Sequence, residues 1–300
     1  MWDSNINVPA DSLTVTCLFS HAIRADADRL SVYEGDRLLF TGQADSVTCI
    51  KRGMGVILKL SARGPAAALL DNEAEPVTYN RPSAVLMRRR HLAPFGLRLY
   101  ESDNVPIRDK LCIQKGMSHW QVLKAFCRSR YQSEPRVSGD GTVYLRGLPE
   151  GDSVVFSDGG EGVAYFALQE AQRRHRLLSE VRLKFRQKNA YRSVVRNKNP
   201  EAVGISRVRF VNAAADNASV DTAEKMLENS NRDSYSLTLS CIGCRAELLG
   251  RSAVVRDSLL GSIGGLRVVK VKYIADSGGE RSEVTLRKES FDVADELHNQ

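Results

Sequence analysis

The sequence has no apolar run approaching the ~20 residues that a membrane-spanning helix needs. Its first residues, MWDSNINVPADS, lack the basic start and apolar stretch of a signal peptide. A protein made and kept in a cytoplasm, with no membrane segment, is expected. Of five histidines (His21, His91, His119, His175, His298), none has another at i+3 or i+4, which excludes a helix-borne zinc pair. There is no P-loop, no G-x-G-x-x-G after a strand and no G-x-S-x-G elbow. Gly261-Ser-Ile-Gly-Gly265 is glycine-rich but lies between two β segments, without a helix N-terminus for phosphate, and reads as a turn.

Six cysteines are present, yet only Cys241 and Cys244 fall at C-x-x-C spacing, and they stand alone at a strand end. Cys17 and Cys127 lie in apolar patterns and read as buried thiols. A Cys127 nucleophile with His119 or His91 is disfavoured, because Cys127 sits two helical turns beyond His119 and faces a core. Carboxylates are plentiful, but no two are singled out for acid–base work. No catalytic residue, no metal ligand and no cofactor is therefore expected.

Three hundred residues suffice for about two domains and a sizeable core. The hydrophobic fraction of 42% and charged fraction of 26% are those of an ordinary globular protein. The net charge of +7 is unevenly placed. Between Arg173 and Arg209, twelve Lys/Arg stand against only Glu180 and Glu201, so the rest of the chain is slightly acidic. Arg173, Arg174, Arg182, Lys184, Arg186, Lys188, Arg207 and Arg209 are the candidate interface residues of this stripe. Such a stripe fits nucleic acid, an acidic protein partner or one solvated strand face.

The stretch Phe40–Asp71 organises the reading. It predicts two strands around an Arg52-Gly53-Met54-Gly55 turn, leading through Gly64-Pro65 into a helical turn at Ala66–Asp71. Val56, Leu58, Leu60 and Ala62 share one face of the second strand. With Leu13–Phe19, Arg29–Tyr33 and Arg37–Gly42, about five strands fall in the first 63 residues. From Pro76 the pattern becomes mixed. It predicts a helix from Pro82-Ser83 to Leu92, short strands at Leu97–Tyr100, Leu111–Ile113 and Thr142–Arg146, and a helix opened by a Ser118–Gln121 capping box. Val181, Leu183 and Phe185 then alternate with Arg182, Lys184 and Arg186. A helix over Thr222–Asn231, capped by Asp221, and strands Tyr235–Cys241, Leu266–Ile274 and Glu283–Lys288 complete the chain. The last two strands are joined by an Ala275–Glu280 loop. Both ends of the chain are small β units closing in a long hairpin, which points to a duplicated barrel.

Several segments, in this order, resemble the baseplate hub proteins of Mu-like phage tails, also found in contractile bacteriocins and related injection systems. They are Phe40-x-Gly42, Asp45-x-Val47, Leu58-Lys-Leu-Ser-Ala-Arg-Gly64 and Leu70-Asp71; Gly116-Met-Ser-His-Trp-Gln-Val-Leu123 and Gly139-Asp-Gly-Thr-Val-Tyr-Leu145; and Gly250-Arg-Ser-Ala-Val-Val-Arg-Asp257, Val268–Tyr273, Gly278-Gly279 and Val284-Thr-Leu286.

The resemblance implies an α+β, β-rich fold, with two small antiparallel tail-tube-like β-barrels (1–75 and 166–300) flanking a mixed αβ module (76–165). It implies a non-enzymatic homotrimer, a ring adapting a hexameric tail tube protein to a three-fold spike protein in the baseplate of a virion tail. DNA would meet it only in transit. The hairpins Val47–Ala62 and Leu266–Leu286 are the expected subunit contacts, and the basic stripe faces an acidic partner or lines the channel. Two other readings are a nucleic-acid-binding protein using residues 173–209 and a tail-tip cell-wall hydrolase. The stripe's few aromatics (Phe185, Tyr191, Phe210) count against the first, and the missing acid–base pair against the second.

Overall fold

The computed structural model describes residues 1–53, 55–101, 103–185, 190–199, 202–213, 216–289 and 296–297. The chain divides into two compact units. The first comprises Met1–Gly151, Gly243–Gly250 and Val269–Ser282; the second comprises Asp152–Ile242, Arg251–Val268 and Glu283–Gln300.

In the first unit an antiparallel sheet runs from residues 270–273 through Trp2–Asn5, Ser12–Leu18, Gly55–Arg63 and Arg37–Arg52 to Arg29–Glu34. Five strands do occupy the first 63 residues, but their division differs from the expected one. Arg37–Arg52 is a single strand of 16 residues, Trp2–Asn5 is an additional strand, and His21–Asp26 is a short helix capped by Ser20. The long strand turns at Gly53, whose φ of +56° only glycine adopts without strain. Leu58, Leu60 and Ala62 are buried as their alternation predicts, whereas Val56, next to the turn, is half-buried. Most of Arg37–Arg52 beyond Gly42 is exposed, while Ser12–Leu18 accompanies the hairpin's second strand almost to its turn, with Leu18 opposite Ile57.

Three scattered pieces of the opening stretch meet at Arg63. Its guanidinium bonds both oxygens of Asp45 (2.8 and 3.0 Å) and both of Asp71 (3.1 and 2.6 Å). The cation holds the Asp71 carboxyl below its ordinary range. Gly42 is needed here because a Cβ would stand 2.2 Å from the Arg63 carbonyl oxygen. Gly139 is needed likewise against the Leu39 carbonyl, at 2.1 Å.

The mixed module lies in the same unit. Helix His119–Tyr131 opens with the predicted capping box, the Ser118 hydroxyl accepting from the Gln121 amide and the Gln121 side chain accepting from the Ser118 amide. The predicted helix after Pro82 is a composite: Ala84–Met87 α-helical, Arg88–Leu92 a π-turn and Ala93–Phe95 a 3₁₀ turn, stopped by Gly96 at φ +70°. Leu69, Met87, Leu92, Leu123, Phe126 and Val143 form the centre of its core. A buried ion pair fastens the N-terminal strand loop in this unit. Arg136 meets Asp11 and Ser4 through Nη2, and through Nη1 it donates to the carbonyls of Val8 and Pro9. Burial pushes the Asp11 carboxyl up, against the opposing pull of Arg136 and Ser4.

In the second unit Val154–Ser157 pairs in parallel with Val163–Ala164 and with Ser252–Asp257, which runs antiparallel to the beginning of Gly261–Asp276. Ala167–Gln172 pairs antiparallel with Tyr235–Ile242. Two expectations are corrected here. Gly261–Gly265 is the start of a strand, and the turn falls at Ser258–Leu260, where the Asp257 carboxylate accepts the amides of Leu259 and Leu260. The helix spans Asp216–Ser234, so Asp221 lies inside it; no Gly or Pro interrupts 216–234 to delay its start. The loop expected over Ala275–Glu280 in the other unit is shorter, with Ser277 and Gly278 alone between the strands.

The fold is α+β and rich in strand, but no closed barrel is found among the described residues. Among the described residues Arg29–Glu34 pairs on one side only, which leaves the first unit's sheet an open edge there. The tail from Ser290 falls almost wholly outside the described residues. No described helix is long and apolar enough to cross a membrane.

Candidate interface

The basic stripe is built on a four-stranded sheet in the order Val208–Ala213, Glu180–Phe185, Ser193–Arg196 and Glu296–Leu297. Helix Asp216–Ser234 covers one face, where Val181, Leu183, Val195, Ala223 and Leu227 are fully buried. Strand alternation then sends Arg182 and Lys184 to the opposite face, as the sequence predicts. Parallel pairing sets Phe210 beside Arg182 and Asn212 beside Lys184 on that face.

The eight candidate residues do not share one surface. Arg182 is exposed but tied to Glu180 at 2.6 Å, and Glu180 also stands 3.8 Å from Arg196. Lys184 lies 6.0 Å from the Tyr191 ring centre. Arg209 is exposed, yet it pairs with the inward-facing Val181 and so belongs to the helix-covered side. Arg207 is committed to the fold, with Nη1 donating to the carbonyls of His175 and Leu177. Arg173 donates to the Ser236 hydroxyl at 2.8 Å, while Arg174 opens an exposed 3₁₀ turn. Arg186 and Lys188 lie outside the described residues.

Sequence reasoning missed the aromatic centre of this face. Tyr191 and Phe210 meet edge-to-face at 5.1 Å, and the Tyr191 hydroxyl donates to Asn212 at 2.8 Å. Phe210 nevertheless remains 59% exposed. The two are 19 residues apart in sequence and only the strand register joins them, so no local pattern announced the pair.

The residues weighed for chemistry are placed as follows. Cys127 is buried, and burial pushes its thiol up, which opposes a thiolate nucleophile. Cys241 is buried, and neither it nor Cys244 forms a disulfide among the described residues. No cluster of three metal-ligating side chains occurs among the described residues. His91 and His119 do come together, Nδ1 to Nδ1 at 2.9 Å, between the rings of Tyr79 and Phe95. One nitrogen must carry the shared proton and the other accept it. Burial, then His119, then Arg90 hold His91 down to about 4, and burial lowers His119 as well.

This pair makes acid stability predictable. Both rings stay neutral in the folded protein while the unfolded chain takes up protons below about 6.5. Stability is therefore complete above that pH and drains away as pH falls toward 4, by on the order of 2–3 kcal/mol for His91. Urea midpoints at pH 7 and pH 4.5 check this, and His91→Gln is expected to flatten the difference.

The fold is similar to that of phage tail proteins and of a type VI secretion component. The tail protein from Neisseria meningitidis MC58 superposes with a TM-score of 0.74 at 20% identity, over 96% of this chain and 91% of that one. The 43 kDa tail protein of prophage MuSo2 from Shewanella oneidensis gives the same TM-score at 14% identity, over 96% and 92%. An E. coli type VI secretion component, itself similar in structure to the T4 tail proteins gp27 and gp5, gives 0.53 at 10% identity over 99% and 74%. At these identities the likeness is one of fold. No family model matches the sequence, and no curated protein matches it.

Proposed function

We propose that this chain is a structural hub of a phage tail or tail-like injection machine, assembling as a trimeric ring between a tail tube protein and a spike. The observation that supports it most is the likeness to whole tail proteins over nearly the full length of both chains. The strand-rich segments 1–75 and 166–300 would form the ring, with 76–165 as an αβ insert. The edge at Arg29–Glu34 and the exposed far half of Arg37–Arg52 give such a ring something to close. Its location would be the baseplate of the tail, and its work assembly without catalysis.

The exposed basic groups, Arg173, Arg174, Arg182 and Lys184 foremost, are assigned to an acidic partner or neighbouring subunit. Arg182→Glu with Lys184→Glu is expected to leave the circular dichroism spectrum and melting temperature unchanged. The same pair should weaken ring assembly by tenfold or more in sedimentation. Arg207→Glu should instead lower stability, because its guanidinium holds the carbonyls of His175 and Leu177. Unfolding by the Arg182/Lys184 reversals would contradict the outer-face placement.

One observation favours a second reading, nucleic-acid binding: the exposed Phe210 and Tyr191 beside Lys184 offer stacking next to charge. That reading requires affinity for DNA that falls steeply between 50 and 200 mM salt, roughly 10³-fold or more for six or more phosphate contacts. Phe210→Ala should then weaken it.

A further inference from the structure

Among the described residues the most exposed large apolar side chain is Leu259, at 89%. It stands on an ordered turn. The Asp257 carboxylate accepts the amides of Leu259 and Leu260 (2.9 and 2.8 Å) through one oxygen and the Tyr165 hydroxyl through the other. Asp158 accepts both the amide and the hydroxyl of Ser258. The turn's amides are thus bound inward, while no described residue donates to the carbonyls of Ser258, Leu259 or Leu260. Holding an apolar tip rigid lowers the entropic cost of seating it in a partner. A pre-ordered leucine beside two carboxylates has the form of an interface anchor.

The first unit carries a cavity of complementary character, of about 230 Å³. Leu38, Leu39, Leu148 and Leu249 give it apolar walls. Two residues of its lining, Trp2 and Arg136, each bury a donor that has no acceptor among the described residues: Trp2 Nε1 and Arg136 Nε. Buried donors left unpaired cost roughly 1–3 kcal/mol each. The cavity is smaller than the roughly 300–1,000 Å³ of clefts that take small-molecule ligands. It is of the scale of one aliphatic side chain with its peptide carbonyl. Arg37, 3.8 Å from Glu34, and Asp140 also stand at the lining, and Arg37 is the group placed to meet the Asp158–Asp257 pair flanking Leu259.

We infer that the Leu259 turn of one copy of this chain seats in the Trp2–Arg136 cavity of a second copy. The leucine side chain fills the apolar walls, and a small shift of Trp2 and Arg136 brings their unpaired Nε1 and Nε to the turn's carbonyls. Such a contact joins two different surfaces, so it is heterologous and repeats around a ring. The inference rests on the assembly reading and specifies a contact within it.

The test incorporates a photoreactive benzophenone amino acid at position 259 of the full chain, irradiates the assembled protein and maps the adducts by mass spectrometry. Expected are adducts between copies at residues 37–39, 144–148 or 246–249. Leu259→Asp, at a side chain almost entirely in solvent, is expected to keep the spectrum of the folded protein and raise the concentration for half-assembly tenfold or more. A ring that forms without those adducts overturns this contact and leaves the assembly reading standing. A chain that stays monomeric at tens of micromolar overturns both.

Discussion

Leu58→Asp is expected to leave no folded protein, seen as loss of soluble yield and of the cooperative denaturation transition. Leu58 is fully buried at the centre of the first unit's sheet, flanked in register by Cys17 on one strand and Cys49 on the other. Removing its side chain from the core forfeits about 2–3 kcal/mol of apolar burial. Placing a carboxylate there adds several kcal/mol more, whether it stays charged or is forced to take up a proton. The sum rivals the roughly 5–15 kcal/mol that holds a domain folded. Val56→Asp provides the control. Val56 is half-buried beside the hairpin turn, opposite Lys51, so that change should cost about 1 kcal/mol and leave a measurable transition.

Arg136→Met is expected to lower stability by about 3–5 kcal/mol, the loss seen when one member of a buried ion pair is removed. Asp11 and Arg136 are each 3% exposed at the side chain, so the stranded carboxylate has no solvent to turn to. The carbonyls of Val8 and Pro9 lose their donor in the same change. Adding Asp11→Leu to Arg136→Met should recover most of the loss, since two apolar groups replace a pair that is costly to desolvate. By contrast Arg63→Ala, which removes more ionic bonds but at an exposed site, should cost no more than about 1 kcal/mol. Urea titrations of the three variants measure the ordering directly. Equal losses for Arg136→Met and Arg63→Ala would refute this account of the buried pair.

Elements governed by neighbours in sequence were legible. The Ser118 capping box, the Gly64-Pro65 exit and the alternation of Val181, Leu183, Arg182 and Lys184 each carry their physics within a few residues. Elements governed by distant pairing were not. Trp2–Asn5, written Trp-Asp-Ser-Asn, has three polar residues and becomes a strand only between Ser12–Leu18 and residues 270–273. Asp11 and Arg136 are 125 residues apart, and nothing near either residue announces the other. The same holds for His91 and His119, each of which looked solitary. The stripe was visible as composition, yet composition does not tell Arg207, spent on carbonyls, from Arg182 on the open face. Barrel closure is not found among the described residues: hairpins and short loops are shared by open and closed sheets alike, and closure depends on edges that sequence does not display.

The central claim is that this chain builds a ring. Size-exclusion chromatography with light scattering on the purified protein, followed by negative-stain imaging of the same fraction, tests it most directly. The account predicts a mass three times that of the 33.2 kDa chain and ring-shaped particles with a central opening. A strict monomer at tens of micromolar, with no rings in the images, would contradict it.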